Sequence, residues 1–271
     1  MIRSYLFVPA DSAAKIPKAL ASEADAVILD LEDSVALADK PAARRLAAEI
    51  LGASRVKPLY VRTNAWDSGL MEADLAAVLP ARPDGLVLPK SGSGADVKRL
   101  GERAGLPVIP IATETAASLF QLGSYIDAGP HLQGITWGME DLAAALGAGS
   151  NRDAAGEPTD PYRLARTLCL AGARAAGVQP IDAVYPNFRD AEGLARICAE
   201  AARDGFTAKM CIHPDQAPVI NRAFTPSPEA LARARRIIAA FAAAGGAGVI
   251  AIDGEMFDVP HLKAAQALLQ R

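Results

Sequence analysis

Apolar runs along this chain repeatedly end on ionisable residues. Asp30, Glu32 and Asp33 follow one such run, Arg62 and Asn64 the next, then Lys90, then Glu114, then Glu140 and Asp141, and finally His213. Ionisable groups that converge on one mouth usually bind something. Carboxylates outnumber cations among them, and clustered anions repel unless a cation neutralises them. No Cys/His grouping accompanies them, which argues against zinc; all-oxygen ligands favour magnesium or calcium. Glu114 and Asp141 are the candidate metal ligands, because they close neighbouring runs. Two carboxylates leave most of an octahedral shell to substrate and water, the habit of magnesium sites. Arg62 suits a different role, since its planar fork pairs with a substrate carboxylate or stabilises a developing oxyanion. Gly138 and Met139 offer backbone N–H groups where glycine lets a ligand approach closely.

Each of these residues also has a plainer reading. Glu32 and Asp33 can cap a following helix. Arg62 can be a structural ion-pair partner of Glu32 or Asp33. Glu114 and Asp141 can be satisfied loop carboxylates, and His213-Pro214 a simple turn. Lys40 and Arg44 read as solvated helix charges, or as cations that meet phosphates.

A framework of alternating strands and helices would bring these residues together. Eight strands are expected, at Ser4–Val8, Ala26–Asp30, Leu59–Arg62, Gly85–Leu88, Val108–Ile111, Gly134–Trp137, Ile181–Tyr185 and Thr207–Ile212. Most are nearly continuous apolar runs, as parallel strands covered on both faces must be. Helical periodicity separates them at Ala13–Ser22, Lys40–Leu51, Asp96–Ala104 and Leu164–Ala176, the last two stopped by Gly105 and Gly177. Eightfold alternation predicts a TIM-type (β/α)8 barrel over residues 1–225, whose active site lies at the C-terminal ends of the strands. A doubly wound sheet is the runner-up, but no glycine-rich phosphate turn follows the first strand. Gly147–Tyr162, rich in Gly, Asn, Asp and Pro, reads as a surface loop. Residues 226–271 form a C-terminal appendage with helices at Glu229–Ala244 and Val259–Gln270 and a short apolar run, Val249–Ile252, between them.

Composition narrows the class further. Hydrophobic residues make up 51% and charged residues 22% of 271, a globular rather than disordered balance. The net charge of −3 advertises no nucleic-acid surface and no anionic-membrane surface. No apolar stretch approaches a membrane span, and the N-terminal run is closed early by Pro9. Cys169, Cys198 and Cys211 form no CxxC pair, so a reducing, cytoplasmic setting is expected.

Several segments together resemble the citrate lyase β-subunit-like group of the HpcH/HpaI aldolase superfamily. They are Arg3–Pro9, Asp25–Val35 with Lys40 and Arg44, Tyr60–Asn64, Leu88-Pro89-Lys90, Thr113–Ala116, Trp137–Leu142, Lys209–Gln216 and Asp253–Asp258. The blocks keep the family's order and span nearly the whole chain. Ala10 stands where the family usually has glycine, and Phe257 where it has isoleucine. The resemblance implies Glu114 and Asp141 as ligands of magnesium, Arg62 as the substrate arginine, and Asp258 as an acid supplied to a neighbouring subunit's site. It also implies homotrimers or hexamers, with the appendage against a neighbouring subunit. Glu32, Asp33, Lys40 and His213 are candidates for support of the site or for holding the carrier.

The expected activity is a reversible retro-Claisen cleavage of a 3-hydroxy-3-carboxy acyl thioester, of citryl, malyl or citramalyl type. It yields a 2-oxo acid and an acyl thioester of CoA or of an acyl-carrier protein. Arg62 would stabilise the enolate oxygen or grip the carboxylate, and Asp258 would protonate the enolate carbon. Two other readings compete: a class II aldolase acting on free 2-oxo acids, and a non-catalytic carrier-binding subunit of a lyase complex.

Overall fold

The computed structural model describes residues 1–270. Strands β1 (Ser4–Pro9), β2 (Ala26–Asp30), β3 (Leu59–Arg62), β4 (Gly85–Leu88), β5 (Val108–Pro110), β6 (Gly134–Ile135), β7 (Gln179–Asp182) and β8 (Ala208–Cys211) alternate with helices. The helices are α1 (Ile16–Ala21), α2 (Lys40–Gly52), α3 (Met71–Val78), α4 (Gly94–Ala104), α5 (Glu140–Leu146), α6 (Asp160–Ala175) and α7 (Ala191–Asp204). A 3-10 segment, Ser118–Asp127, bridges β5 and β6. The strands are parallel, β1 lies between β2 and β8, and the ladder runs from β5 round to β6. Isolated parallel bridges, Val108 to Leu132 and Ile111 to Thr136, then bring the two edges together. The chain is therefore the expected (β/α)8 barrel, nearly closed, with its thinnest seam between β5 and β6.

Several boundaries differ from expectation for identifiable reasons. β2 is AVILD, buried at every position, as a strand covered on both faces should be. β7 begins two residues earlier than its apolar run and ends at Asp182, a polar residue whose charge is met inside the protein. β6 is only two residues long, so Thr136 and Trp137 lie beyond it. α4 starts at Gly94 because the Asp96 carboxylate accepts from the Gly92 and Ser93 N–H groups just ahead of the first turn. It stops at Gly105, whose φ of 66° suits glycine. The loop after α5 ends at residue 159, because α6 begins at Asp160 with Pro161 in its first turn.

Inside the barrel, Ile28, Val87, Ile109, Ile181 and Met210 form one apolar column. Burying each contributes about 1.5–3 kcal/mol. Tyr5 and Tyr60 meet edge to face at 5.6 Å near the strands' N-terminal ends. Tyr5 Oη donates to Gln179 (3.0 Å) and Tyr60 Oη pairs with Gln133.

A second compact unit begins at Ala223, in the last turn of α8 (Gln216–Phe224). It comprises α9 (Pro228–Ala243), β9 (Val249–Ile252), β10 (Glu255–Asp258) and α10 (Val259–Leu269). β9 and β10 form an antiparallel hairpin turned by Asp253 (φ 54°) and Gly254 (φ 84°). The apolar run alone suggests one strand here, but Asp-Gly is a strong short hairpin signal and a second strand follows it. Ala234, Ile237, Phe241, Phe257 and Ala265 make this unit's own core.

Candidate active site

Strand register brings the first part of the site together. Asp30 ends β2 directly opposite Arg62, which ends β3. The Arg62 guanidinium donates to both Asp30 oxygens, from Nε and Nη2, at 2.7 Å each. Its remaining nitrogen lies 3.0 Å from Glu32 Oε2. That contact is an ion pair without hydrogen-bond alignment, since Oε2 is buried with no hydrogen-bond partner. The Phe7 ring lies 4.9 Å from the guanidinium carbon. Burial alone would lift the Asp30 carboxyl, but the Arg62 hydrogen bonds and charge hold it below the ordinary carboxylate value. Arg62 does pair with Glu32, as one expectation had it, but its principal partner is Asp30 and Asp33 is not a partner. Asp30 also accepts from the Glu32 and Ser34 N–H groups. The helix that follows, α2, has Asp39 at its N-cap, so neither Glu32 nor Asp33 caps it.

Lys90 organises the second part, a role that the sequence does not announce. Its backbone is left-handed (φ 51°), which a side chain-bearing residue seldom adopts. That turn aims its N–H at Glu114 Oε2 (2.5 Å), while Nζ reaches Glu32 Oε1 (2.6 Å). Nζ is also 3.7 Å from both Asp33 and Asp141. Glu114, after β5, is almost wholly buried. Burial pushes its carboxyl up to about 8, and the nearby Glu32 and Asp141 charges add to the shift. Gly138 packs directly against it: a Cβ there would meet Glu114 Cγ at 2.9 Å and Oε1 at 3.0 Å. The Thr113 hydroxyl, which accepts from Gly138 N–H and donates to Gly138 O, fixes that approach. The Gly138 N–H is thus satisfied within the protein, which leaves Met139 as the nearer candidate for a ligand-facing N–H.

Arg62, Asp33, Glu114, Gly138, Met139 and Asp141 all line one cavity of about 200 Å³. A second cavity, about 380 Å³, is lined by Glu32, Asp33, Lys40 and Lys90. A larger groove of about 630 Å³ around Trp66 and Arg99 contains none of the expected site residues. Among the described residues, no three His, Cys, Asp or Glu side chains converge tightly enough to hold a metal unaided. The donor set nonetheless fits a hard divalent cation. Two mutually repelling carboxylates share a cavity, and Glu114 Oε1 has no hydrogen-bond donor among the described residues. Such a pair would be completed by substrate and water, as magnesium permits.

Other expected residues are placed differently. Lys40 is buried and donates to the Leu31 and Glu32 carbonyls (2.8 and 3.0 Å), so it shapes the Glu32 loop rather than facing solvent. Arg44 is likewise not a solvated charge: it pairs with buried Asp74 at 2.8 Å, which also anchors Asn64. His213 stacks on Phe188 at 4.8 Å and lines neither cavity beside Lys90. Asp258 belongs to the second unit, where it caps α10 and its Oδ1 lies 2.5 Å from His261 Nδ1. Hydrogen bonding to His261 holds its carboxyl below the ordinary value.

One buried cluster has no signature in the sequence. Asp182, fully enclosed, accepts from Lys209 Nζ (2.7 Å), Trp137 Nε1 (2.8 Å) and Arg166 Nε (3.2 Å). Burial would raise its carboxyl, but the Lys209 and Arg166 charges hold it low. Trp137 is a wall of the 200 Å³ cavity, so this cluster braces the site from behind.

A parallel barrel with an arginine and two acids around one cavity at the strands' C-terminal rim has the layout of a metal-assisted enzyme. Comparison with known proteins specifies which. Residues 3–214 match the HpcH/HpaI aldolase/citrate lyase family model, and the chain belongs to that family. It is 40% identical to a citrate lyase subunit beta-like protein of Mycobacterium tuberculosis, over 98% of this chain and 94% of that one. It is 36% identical to the mitochondrial citramalyl-CoA lyase of Rattus norvegicus, over 98% and 85% respectively. Among solved structures, CitE from Mycobacterium tuberculosis in complex with magnesium, acetoacetate and coenzyme A superposes with a TM-score of 0.84. That match has 39% identity and covers 99% of this chain and 97% of the other.

Proposed function

We propose that this chain is a magnesium-dependent carbon–carbon lyase. It cleaves, or in reverse forms, a 3-hydroxy-3-carboxy acyl thioester, giving a 2-oxo acid and an acyl-CoA. The observation that carries the reading is the meeting of Glu114, Asp141 and Arg62 on one cavity, with no donor to Glu114 Oε1 among the described residues. The relatives named as a citramalyl-CoA lyase and as a magnesium- and CoA-bound protein support it.

Glu114 and Asp141 are the residues that would hold magnesium. When bound there, the ion polarises the hydroxyl and carboxylate of the substrate and makes the hydroxyl more acidic. The chain's own groups do the rest. Asp30 and Glu32 fix the Arg62 guanidinium before substrate arrives, so its charge is already oriented when the thioester oxygen becomes enolate-like. Lys90 keeps Glu32 and Glu114 in place with its side chain and its N–H. The Met139 N–H, at the start of α5, is suited to a substrate carboxylate oxygen. Scission of the carbon–carbon bond moves the hydroxyl proton to a base and leaves the enolate carbon to be protonated. Asp258 from a second copy is the assigned donor, so the working form is an oligomer, a trimer or hexamer by the family resemblance. No helix among the described residues is long and apolar enough to cross a membrane, and the three cysteines are free and buried. We place the protein in the cytoplasm.

The test is incubation of the purified protein with magnesium and malyl-, citramalyl- and citryl-CoA. Release of acetyl-CoA with a 2-oxo acid supports the assignment. Turnover of free 2-oxo acids without any thioester would instead identify an aldolase. Activity that emerges only with added partner subunits would identify a carrier-binding component.

A further inference from the structure

One neutral polar atom on the wall of the 200 Å³ cavity has nothing to bond to. Thr136 is only 1% exposed, and its hydroxyl has no hydrogen-bond partner. Buried hydroxyls ordinarily find a partner, and leaving one unmet costs stability. The local backbone is already satisfied: the Thr136 N–H donates to the Pro110 carbonyl (3.0 Å), and its own carbonyl accepts from the Ala112 N–H (2.9 Å). Strand alternation fixes where the side chain points. A Cβ on Gly134, two residues earlier, would meet Ile181 Cδ1 at 3.0 Å, and Ile181 belongs to the column inside the barrel. Thr136 shares that inward side and so faces the cavity. Among the described residues, no other buried side-chain atom without a hydrogen-bond partner lies on this cavity.

The rest of the lining makes this hydroxyl distinctive. Ile111, Ala183, Val184 and Met210 offer no side-chain donor, and the Trp137 Nε1–H is committed to Asp182 at 2.8 Å. Thr136 is therefore the one uncharged side chain on the cavity, among the described residues, with a donor left to give. Strand order says which part of a substrate it would meet. Thr136 is bridged to Ile111, beyond which the chain turns to Glu114, and Asp141 follows Thr136 itself at the start of α5. The two acids assigned to the metal thus stand on the same side of the barrel as Thr136, whereas Arg62 ends β3. Resting on the lyase reading above, we propose that Thr136 is a substrate-binding residue whose hydroxyl donates to a carboxylate oxygen of the 2-oxo acid half. A carboxylate offers about four lone-pair sites, so one remains after a cation and the Met139 N–H have been served. The hydroxyl is unmet in the free protein and met in the complex, so binding relieves a cost that the fold carries. A hydrogen bond to a charged acceptor strengthens binding about 10-fold or more.

Thr136→Val keeps the shape of the side chain and removes the hydroxyl, and three measurements on the intact protein read the result. In urea with a chelator its unfolding midpoint should be no lower than that of the wild type, because no hydrogen bond is lost. A purely structural hydroxyl would show the opposite sign, so a lower midpoint overturns the proposal. By calorimetry with magnesium, affinity for pyruvate and for glyoxylate should fall about 10-fold or more. The kcat/KM for whichever of malyl- and citramalyl-CoA the wild type cleaves should fall by a similar factor. Thr136→Ser restores the donor without the methyl, so it should recover most of the oxo-acid affinity while losing some stability. Oxo-acid affinity unchanged in Thr136→Val, or lost equally in Thr136→Ser, overturns the proposal even if turnover falls, and so does a wild type that binds neither oxo acid. A wild type that cleaves no thioester ends the lyase reading, while the oxo-acid affinities still decide the role of Thr136.

Discussion

Replacing Glu114 with glutamine should stabilise the metal-free protein, and the gain should grow with pH. In the fold this carboxyl is raised from 4.5 to about 8, burial being the largest cause. Below 4.5 both folded and unfolded states are protonated and the shift has no consequence. Between 4.5 and about 8 only the unfolded chain ionises, so stability falls as pH rises; above about 8 both states are ionised and the loss is constant. At about 1.4 kcal/mol per unit, the loss is about 3 kcal/mol at pH 7 and about 5 kcal/mol at pH 9. Glutamine is neutral throughout, and its carbonyl can still accept from the Lys90 N–H. Urea unfolding of both proteins in a chelator, from about pH 4.5 to about pH 9, gives the difference directly, and titrating groups that do not interact with Glu114 cancel. The expected curve starts near zero and climbs by a few kcal/mol in favour of Glu114→Gln. Magnesium should then restore the wild type and leave the variant unmoved, because an ion bound only by the folded state stabilises it. A difference that stays flat with pH refutes the claim that this acid is held protonated by its surroundings.

Three further perturbations probe the neighbouring contacts. Arg62→Lys keeps a charge but not the fork that spans Asp30, so kcat should fall by about 10²-fold or more; near-normal turnover removes Arg62 from the chemistry. Gly138→Ala places a methyl 2.9 Å from Glu114 Cγ, so magnesium affinity by calorimetry should weaken more than about 10-fold, with a loss of about 1–3 kcal/mol in urea unfolding. Asp182→Asn leaves Lys209 and Arg166 without their buried counter-charge. A loss of about 3–5 kcal/mol in urea unfolding is expected, with altered Trp137 emission.

The barrel is legible in the sequence because strands covered on both faces must be apolar, and β2, β3 and β4 fall within the expected runs to the residue. Glu114 and Asp141 are legible for the same reason, as acids just beyond apolar runs. Lys90 is legible as a rim residue, but its role is not, because that role comes from a left-handed backbone that no local pattern announces. Asp30 is legible as a rim residue, but its pairing with Arg62 is not, because only the register with β3 shows the two opposite each other. Asp182 and Lys209 are polar residues inside strands; each looks like a defect until the other is placed beside it. Lys40 and Arg44 mislead because helix charges are ordinarily solvated, whereas here each closes a buried acceptor group.

The thin join between β5 and β6 has a bearing on how the molecule breathes. A barrel held there by a two-residue strand and two single bridges should open first along that line, exchanging the Ala112, Gln133 and Thr136 amide protons with solvent ahead of those in β2. Glu114 and Asp141 sit just past the two sides of that join. An ion gripped by both would act as a clasp, so deuterium uptake at these three amides should slow sharply when magnesium is added and stay fast in Glu114→Gln.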